Sequence, residues 1–376
     1  MVWYVLNPTL ECRSDNGRLE CFLPFAGRVV SGSTELLHVL ELFREPVHAG
    51  DPALSLLAAE VIGSLVDNLL VVPCSSPALA RTLLVPVDSP VALCGWSEAR
   101  PRIAPGAIFI VGAPVDTTAG CLARPSFGPA EIRKYLGVKA GRDVYDLGDI
   151  ALYPDEGPEE LFQRLRFVIE ELSRGAAVPL VLGGDHTVTL HILASLSPNA
   201  PGLTFIQLDA HSDANAIKLG QTAVFPPNHA NFVAHVRHAL TAVGEVLQLG
   251  VRDPTVLGQP HRRPEGIRQL DATSCYDQGE VRAFLRSGVS LNRPKAYVSV
   301  DIDVLDPAFA PETTVPRVGG LSLHNVLEIL QATFETYDVI GVDITEVCGS
   351  ASSYNRAAHC AASIASWFIR RLRRPG

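Results

Sequence analysis

Short apolar runs alternate with longer amphipathic stretches from residue 106 to the C-terminus. Runs of this length are typical of buried β-strands, and the stretches between them carry apolar residues at helical spacing. The predicted strands are 107–112, 144–147, 178–182, 203–208, 246–249, 267–270, 296–300 and 339–342. The predicted helices include 158–174, 187–196, 278–286, 322–336 and 354–372. This alternation predicts an α/β domain with a parallel sheet covered by helices on both faces.

The first 75 residues follow a different pattern, which predicts a small α+β module. Strands are predicted over 10–13, 18–23 and 69–72, and helical stretches from residue 35 and over 54–66. Asp15-Asn16-Gly17 between the first two strands is a strong hairpin signal. Ser33 and Thr34 can cap the first helix. The order of these elements resembles a winged helix.

Prolines are frequent between the two regions, at positions 73, 77, 86, 90, 101 and 105. Residues 76–105 are therefore predicted to form an irregular connector. The expected organisation is a module over 1–75, this connector, and a catalytic domain over 106–376.

Composition excludes several classes of protein. A formal net charge of -9 argues against nucleic-acid binding, which needs a basic face, and slightly favours cationic small substrates. No apolar run is long enough to span a membrane, and the first residues do not resemble a signal peptide. None of the eight cysteines forms a CxxC pair. We therefore expect a cytoplasmic protein with reduced thiols, in which Cys12 and Cys21 could face each other across the hairpin.

Polar residues follow four of the predicted strands. These segments are GGDHT at 183–187, DAHSD at 209–213, DIDVLDP at 301–307 and DITE at 343–346. The carboxyl ends of parallel strands form the ligand crevice of an α/β sheet. Ordinary helix caps and solvated loop ends would account for one such segment, whereas four at one sheet edge favour a functional site.

The spacing within these segments indicates a metal centre. Alternate residues of an extended segment point to one side, so Asp209, His211 and Asp213 can converge, as can Asp301 and Asp303. With His186 they form six groups whose negative charge requires divalent cations. Oxygen-rich ligands with some imidazole suit Mn²⁺, and the ligand count fits two ions roughly 3.5–4 Å apart.

The motifs GGDH, DAHSD and SVDIDVLDP at 299–307 resemble those of the ureohydrolase family, which includes arginase and agmatinase. An agmatinase-like stretch at 112–116 and 124–129 precedes them, so the resemblance covers about residue 106 to the C-terminus. It implies a three-layer α/β/α fold with an eight-stranded parallel sheet. It also implies a binuclear manganese hydrolase that cleaves a guanidino group to urea and an amine.

By this resemblance, each ion has four ligands, and Asp209 and Asp301 bridge the two ions. The first set is His186, Asp209, Asp213 and Asp301, and the second is Asp209, His211, Asp301 and Asp303. Nickel is the alternative metal. No organic cofactor is expected.

Three residues receive catalytic roles from the resemblance. Glu346 would pair with the guanidinium, and Asp213 would pass a proton to the leaving amine. His229 resembles the family's catalytic histidine, although Ala230 follows it where Gly is usual. A histidine at the start of a helix is the alternative for His229. His235, further along that helix, is expected at the surface.

The substrate is left open. The segment after Glu346 lacks the Pro and Asp usual in the family, and residues 255–263 lack the acidic pair with which arginases hold a free α-amino group. Asn215 does resemble an arginase residue near the substrate carboxylate. Agmatine, guanidinobutyrate and other guanidino compounds are candidates. Formiminoglutamase-type and guanidine-hydrolase-type C–N hydrolysis are alternatives, as is a non-catalytic metal-binding regulatory protein.

The N-terminal module carries four arginines against nine acids, which argues against DNA binding. It resembles the small peptide-recognition modules attached to enzymes that modify ribosomal peptides. A peptide added to its sheet edge would make arginine within a peptide the substrate and ornithine the product. A packing or oligomerisation extension is the alternative. The resemblance also implies a homo-oligomer, either a trimer or a hexamer.

Overall fold

The computed structural model describes residues 3–6, 11–15, 18–23, 28–45, 47–68, 70–74, 79, 81–117, 124–137, 143–215, 218–219, 223–224, 226–252, 266–289 and 293–372. The chain divides into two compact units, Met1–Leu83 and Leu84–Gly376. Among these described residues, no helix has the length and apolarity that a membrane span requires.

The N-terminal unit is α+β, as predicted. Its strands are β1 (Trp3–Leu6), β2 (Glu11–Asp15), β3 (Arg18–Leu23), β4 (Arg28–Ser33), β5 (Val47–His48) and β6 (Val71–Cys74). Its helices are α1 (Glu35–Glu41) and α2 (Ala59–Asp67). The strands form two antiparallel sheets of order β5-β1-β6 and β2-β3-β4. Leu19, Leu40, Phe43 and Leu65 belong to the apolar core of the unit.

Three details of this unit differ from the prediction. Strands β1, β4 and β5 were not predicted. Thr34 precedes α1, but its side chain makes no capping hydrogen bond because its own backbone is already helical. The predicted helix 54–66 is interrupted, since Leu57 and Ala58 are extended between a 3-10 turn and α2. The turn residues 16 and 17 lie outside the described residues.

The second unit contains one large sheet. Its strands are β7 (Leu84–Val85), β8 (Ile108–Ala113), β9 (Val144–Ile150), β10 (Val178–Gly183), β11 (Leu203–Leu208), β14 (Val243–Val251), β15 (Ile267–Asp271), β16 (Lys295–Asp301) and β17 (Asp338–Thr345). Their order is β15-β14-β11-β16-β17-β10-β8-β9-β7. The predicted eight parallel strands are confirmed. A ninth, β7, pairs antiparallel at one edge and comes from the proline-rich region. A separate pair, β12 (Lys218–Leu219) and β13 (Ala223–Val224), is antiparallel.

Helices cover this sheet on both faces. They are α3 (Trp96–Ala99), α4 (Gly128–Arg133), α5 (Pro158–Arg174), α6 (Val188–Leu196), α7 (Phe232–Ala239), α8 (Gln278–Arg286), α9 (Leu323–Thr336) and α10 (Arg356–Leu372). Helices α5, α6 and α7 pack in one group, and α4, α8, α9 and α10 in another. Strands β8 and β11 are buried at every position, which explains why β8 carries no polar side chain and β11 carries only Thr204 and Gln207. The three-layer α/β/α prediction is confirmed.

Strand order places the four motif segments together. Strands β11, β16, β17 and β10 are consecutive neighbours in the sheet and run parallel. Their carboxyl ends therefore lie side by side at one edge.

Candidate metal centre

One buried cluster gathers the polar residues at this sheet edge. His186 follows β10, Asp209 follows β11, Asp301 ends β16 and Glu346 follows β17. All four side chains are buried. Residues far apart along the chain therefore meet because parallel strands end beside one another.

The first ligand group surrounds His186. Its Nδ1 lies 3.1 Å from an Asp209 carboxylate oxygen, 3.0 Å from one of Asp213 and 3.2 Å from one of Asp301. Despite these approaches, this buried Nδ1 makes no hydrogen bond of acceptable geometry. Neighbouring ligands of an octahedral ion with bonds of about 2.1 Å are also about 3 Å apart. The four residues therefore fit a cation at their centre.

The second group consists of Asp209, His211 and Asp303. Nδ1 of His211 lies 3.0 Å from Asp303 Oδ2 and 3.6 Å from Asp209 Oδ1. Asp209 belongs to both groups, as a bridging carboxylate must. Asp301 lies in the first group only, so its predicted second role stays a prediction.

Electrostatics favour cations in this cluster. Burial, together with the charge of Asp209, raises the pKa of Asp213 to about 8. Burial and neighbouring carboxylates also raise the pKa values of Asp301 and Asp303. Burial opposes ionisation of Asp209 too, but the adjacent imidazoles lower its pKa. Four carboxylates and two imidazoles thus leave buried negative charge uncompensated, which divalent cations would neutralise.

A chain of hydrogen bonds contacts Nε2 of His186, on the side of the ring opposite Nδ1. Its Nε2 lies 2.8 Å from the Ser299 hydroxyl, which donates to Asp343 Oδ1 at 2.5 Å. Thr189 and Tyr297 donate to the other oxygen of Asp343 at 2.9 and 2.7 Å. This network holds Nδ1 towards the carboxylates, as the partners of metal-binding histidines do.

A ladder of three glutamine amides reaches Asp209 from the sheet. Gln269 donates to Gln248 at 2.8 Å, Gln248 to Gln207 at 2.6 Å, and Gln207 to Asp209 Oδ2 at 2.6 Å. The three residues are register partners on β15, β14 and β11. The shared carboxylate is therefore held by a chain of side chains that crosses three strands.

The sequence motifs suggested a supporting role for Asp343, but they did not identify Ser299 or the three glutamines, although a signal was present. Gln207 lies two residues before Asp209, and Ser299 two residues before Asp301. The same alternation that groups the predicted ligands puts these side chains on the same face of their strands. The register that aligns Gln248 and Gln269 with Gln207 requires the folded sheet.

Glu346 lies beside the first group. One carboxylate oxygen accepts a hydrogen bond of 2.7 Å from the His186 backbone N–H, and the other accepts from the Thr314 hydroxyl. Burial, with the charge of Asp185, raises the pKa of Glu346 to about 8. Two donors thus fix a carboxylate at the edge of the cluster, where it can pair with a planar cation.

His229 lies in the turn before α7. Its Nδ1 is buried without a hydrogen-bond partner among the described residues. Burial lowers the pKa of His229. The negative charge of Asp185 opposes this shift, and the charges of His186 and His211 add to it. His229 is therefore within electrostatic reach of the cluster. His235, expected at the surface, is instead buried, because it lies on the inner face of α7 with Phe232 and Val236.

This α/β domain holds, at the ends of its parallel strands, a His/Asp cluster that could bind metal ions, as the active sites of metal-dependent enzymes do. Comparison with known proteins gives the family. Residues 106–369 match the family model described as Arginase family. The chain belongs to the arginase family.

Several relatives have defined names. The mitochondrial guanidino acid hydrolase of Homo sapiens is 29% identical over 69% of this chain and 77% of its own length. The proclavaminate amidinohydrolase of Streptomyces clavuligerus is 32% identical over 64% of this chain and 80% of its own length. The solved structure of a Streptomyces clavuligerus proclavaminate amidino hydrolase superposes with a TM-score of 0.61 and 25% identity. That match covers 79% of this chain and 99% of the other.

Proposed function

We propose that this protein is a binuclear metal hydrolase that cleaves a guanidino group to urea and an amine. The observation that carries the proposal is the pair of ligand groups sharing Asp209, with the carboxylate of Glu346 fixed beside them. Membership of the arginase family and relatives named guanidinobutyrase and agmatinase support it. Agmatine, guanidinobutyrate and related compounds are the candidate substrates.

The ligand groups would hold two cations, with manganese proposed and nickel as the alternative. His186, Asp209, Asp213 and Asp301 would hold one ion, and Asp209, His211 and Asp303 the other, with Asp301 as a second bridge. When bound, two divalent ions neutralise the buried carboxylates and make water reactive near neutral pH.

The protein's own groups then position the substrate. A guanidinium is planar and always charged, so the carboxylate of Glu346 would pair with it and orient its carbon towards the cluster. Because the His186 N–H and the Thr314 hydroxyl fix both oxygens of Glu346, little reorganisation is needed on binding.

Proton transfer is assigned to two further residues. Asp213 lies within the first ligand group and would pass a proton to the amine that leaves. His229, half-buried near the cluster, would exchange that proton with solvent. Both assignments rest on position and on family resemblance.

A urea assay with a panel of guanidino compounds tests this function. The full-length protein, loaded with Mn²⁺ or Ni²⁺, should release urea from at least one compound, and a chelator should abolish the release. Glu346→Gln should lower kcat/KM by roughly 10- to 100-fold without changing metal content, because a charged hydrogen-bonded pair is lost. Formamide or acetate as the product, or no product from any loaded sample, would contradict the proposal.

The control for this assay is Glu170→Gln. Glu170 is partly exposed on α5 and forms a salt bridge with Arg174, so its substitution should leave urea release unchanged. Metal content is measured for every variant, which separates loss of ions from loss of substrate binding.

The N-terminal unit supports a second proposal, that the guanidino group belongs to arginine in a peptide. Residues 1–83 lie outside the family match, and β4 is an edge strand of its three-stranded sheet. An extended peptide could pair with such an edge. The product would then be ornithine within the peptide.

A further inference from the structure

The loop of residues 313–317 follows the proposed site from one end to the other. At one end, the Thr314 hydroxyl donates to the carboxylate of Glu346. At the other, the Nε–H of Arg317 lies 2.9 Å from Nε2 of His211. A substrate whose guanidinium pairs with Glu346 can therefore extend along this loop towards Arg317.

The backbone on both sides of this loop is anchored. Thr313 pairs with Val347 in an antiparallel bridge. The Arg252 guanidinium donates to the carbonyl of Arg317 at 2.8 Å and to that of Asp303 at 2.7 Å. One arginine thus ties the loop to the turn that carries a proposed metal ligand. The backbone of Arg317 is consequently held in place relative to Asp303.

The charge of Arg317 lacks a counter-ion in the part of the chain that the structure describes. Its half-buried guanidinium makes one hydrogen bond there, to the ring of His211. Arg133 and Arg164, buried in the same unit, each pair with carboxylates. A guanidinium presents several donors in a plane that fits a carboxylate.

The hydrogen bond between Arg317 and His211 would be lost if Nδ1 of His211 held a cation. An imidazole that ligates through Nδ1 keeps its hydrogen on Nε2, as a donor. Two donors would then face each other, and the Arg317 guanidinium would be available to another acceptor.

We propose that Arg317 binds a carboxylate at the far end of the substrate, so that the preferred substrates are guanidino carboxylic acids. This inference rests on the proposed function. Thr314 and Arg317 are three residues apart, at most about 10 Å of extended chain. A guanidino acid with a few methylene groups fits such a span. A guanidino amine would instead place its ammonium against the arginine, where like charges repel.

The test compares three probes of similar length: 4-guanidinobutyrate, agmatine and butylguanidine, which end in a carboxylate, an ammonium and a methyl group. Wild type should show the highest kcat/KM with 4-guanidinobutyrate. Arg317→Met should lower that value roughly 10- to 100-fold and change the value for butylguanidine far less. Arg317→Glu should reverse the preference towards agmatine. Arg174→Met, which removes an exposed arginine of α5, should keep the wild-type preference.

Binding provides a readout independent of turnover. Calorimetry with manganese-loaded protein should show weaker 4-guanidinobutyrate binding in Arg317→Met than in wild type, at equal metal content. If wild type and Arg317→Met both released urea from the three probes at rates that did not depend on the charged end group, the inference would be overturned and the proposed function would stand. If no probe released urea, the proposed function would fail, and equal affinities in the binding arm would still refute the role of Arg317.

Discussion

Two of the site residues have backbones in the left-handed region. Asp213 has φ 48° and Glu346 has φ 62°, and among the described residues only Asp143 and Ala176 are other non-glycine examples. Such conformations are unfavourable for residues with a Cβ and persist only where the surroundings enforce them. Both positions carry proposed catalytic groups, so the strain is concentrated where side-chain direction matters most.

His191 gives a residue-scale prediction that is independent of metal. Its ring stacks on Phe162 with centroids 3.8 Å apart, and its Nδ1 lies 2.9 Å from Arg166. Burial, with the charge of Arg166, lowers its pKa from 6.5 to about 3. Below pH 6.5, His191 is protonated in the unfolded chain but stays neutral in the folded protein. The free energy of unfolding therefore falls as the pH drops towards 3. Between pH 7 and pH 5 the loss is about 2 kcal/mol.

The variant His191→Gln should lack this contribution. Denaturant unfolding of both proteins at pH 7 and pH 5 measures it as a difference of differences. Equal pH dependence in wild type and variant would show that His191 does not titrate as its surroundings indicate.

At the scale of elements, periodicity predicted the second unit closely. Helices 158–174 and 278–286 and strand 203–208 have the predicted bounds. Strands buried on both faces are mostly apolar, and such runs are visible in sequence. Strands β4 and β7 were missed because β4 has only two adjacent valines in an otherwise polar or glycine-containing segment and β7 has only two residues. Neither has an apolar run that stands out from its neighbours.

The site residues also divide into those that the sequence pattern predicted and those that it did not. His186, Asp209 and Asp301 were found because each lies at the end of an apolar run or within a few residues after it. Arg317 and Thr314 lie in a loop, where no periodicity marks which side chains face the cluster. Their placement depends on the partners of that loop in the folded sheet.

The connection after β10 supports an element-scale prediction. Gly184 packs against the backbone of Val115, and an added Cβ would overlap the Val115 carbonyl. The carbonyl of Gly184 accepts a hydrogen bond from the Glu346 backbone. Gly184→Ala should therefore destabilise the second unit by about 1–3 kcal/mol and lower urea release.

The same substitution at Gly63 is the control. Gly63 lies in α2 with open space around it, so Gly63→Ala should stabilise its helix by about 0.5–1 kcal/mol. Denaturant unfolding followed by circular dichroism compares the two variants. A Gly184→Ala protein as stable as wild type would show that this close approach is not required.

At the scale of the whole molecule, the prediction concerns whether the N-terminal unit binds a peptide substrate for the second unit. If β4 receives a peptide strand, a leader sequence attached to an arginine-containing core should bind the full-length protein by calorimetry and raise urea release from the core. Val29→Asp, at an exposed position of β4, should weaken binding. Leu56→Asp, at an exposed position outside the sheets, should not. Identical urea release with and without the leader would remove this proposal.

The glutamine ladder has a consequence for how the sheet and the cluster communicate. An amide has a distinct donor end and acceptor end, so a row of three can run only one way without breaking a link. The anion at Asp209 dictates that polarity, and each dipole strengthens the next. The side-chain dipoles on the two outermost strands, β15 and β14, therefore point towards the carboxylate that follows the next strand, β11, and this couples the edge of the sheet to the charge of Asp209.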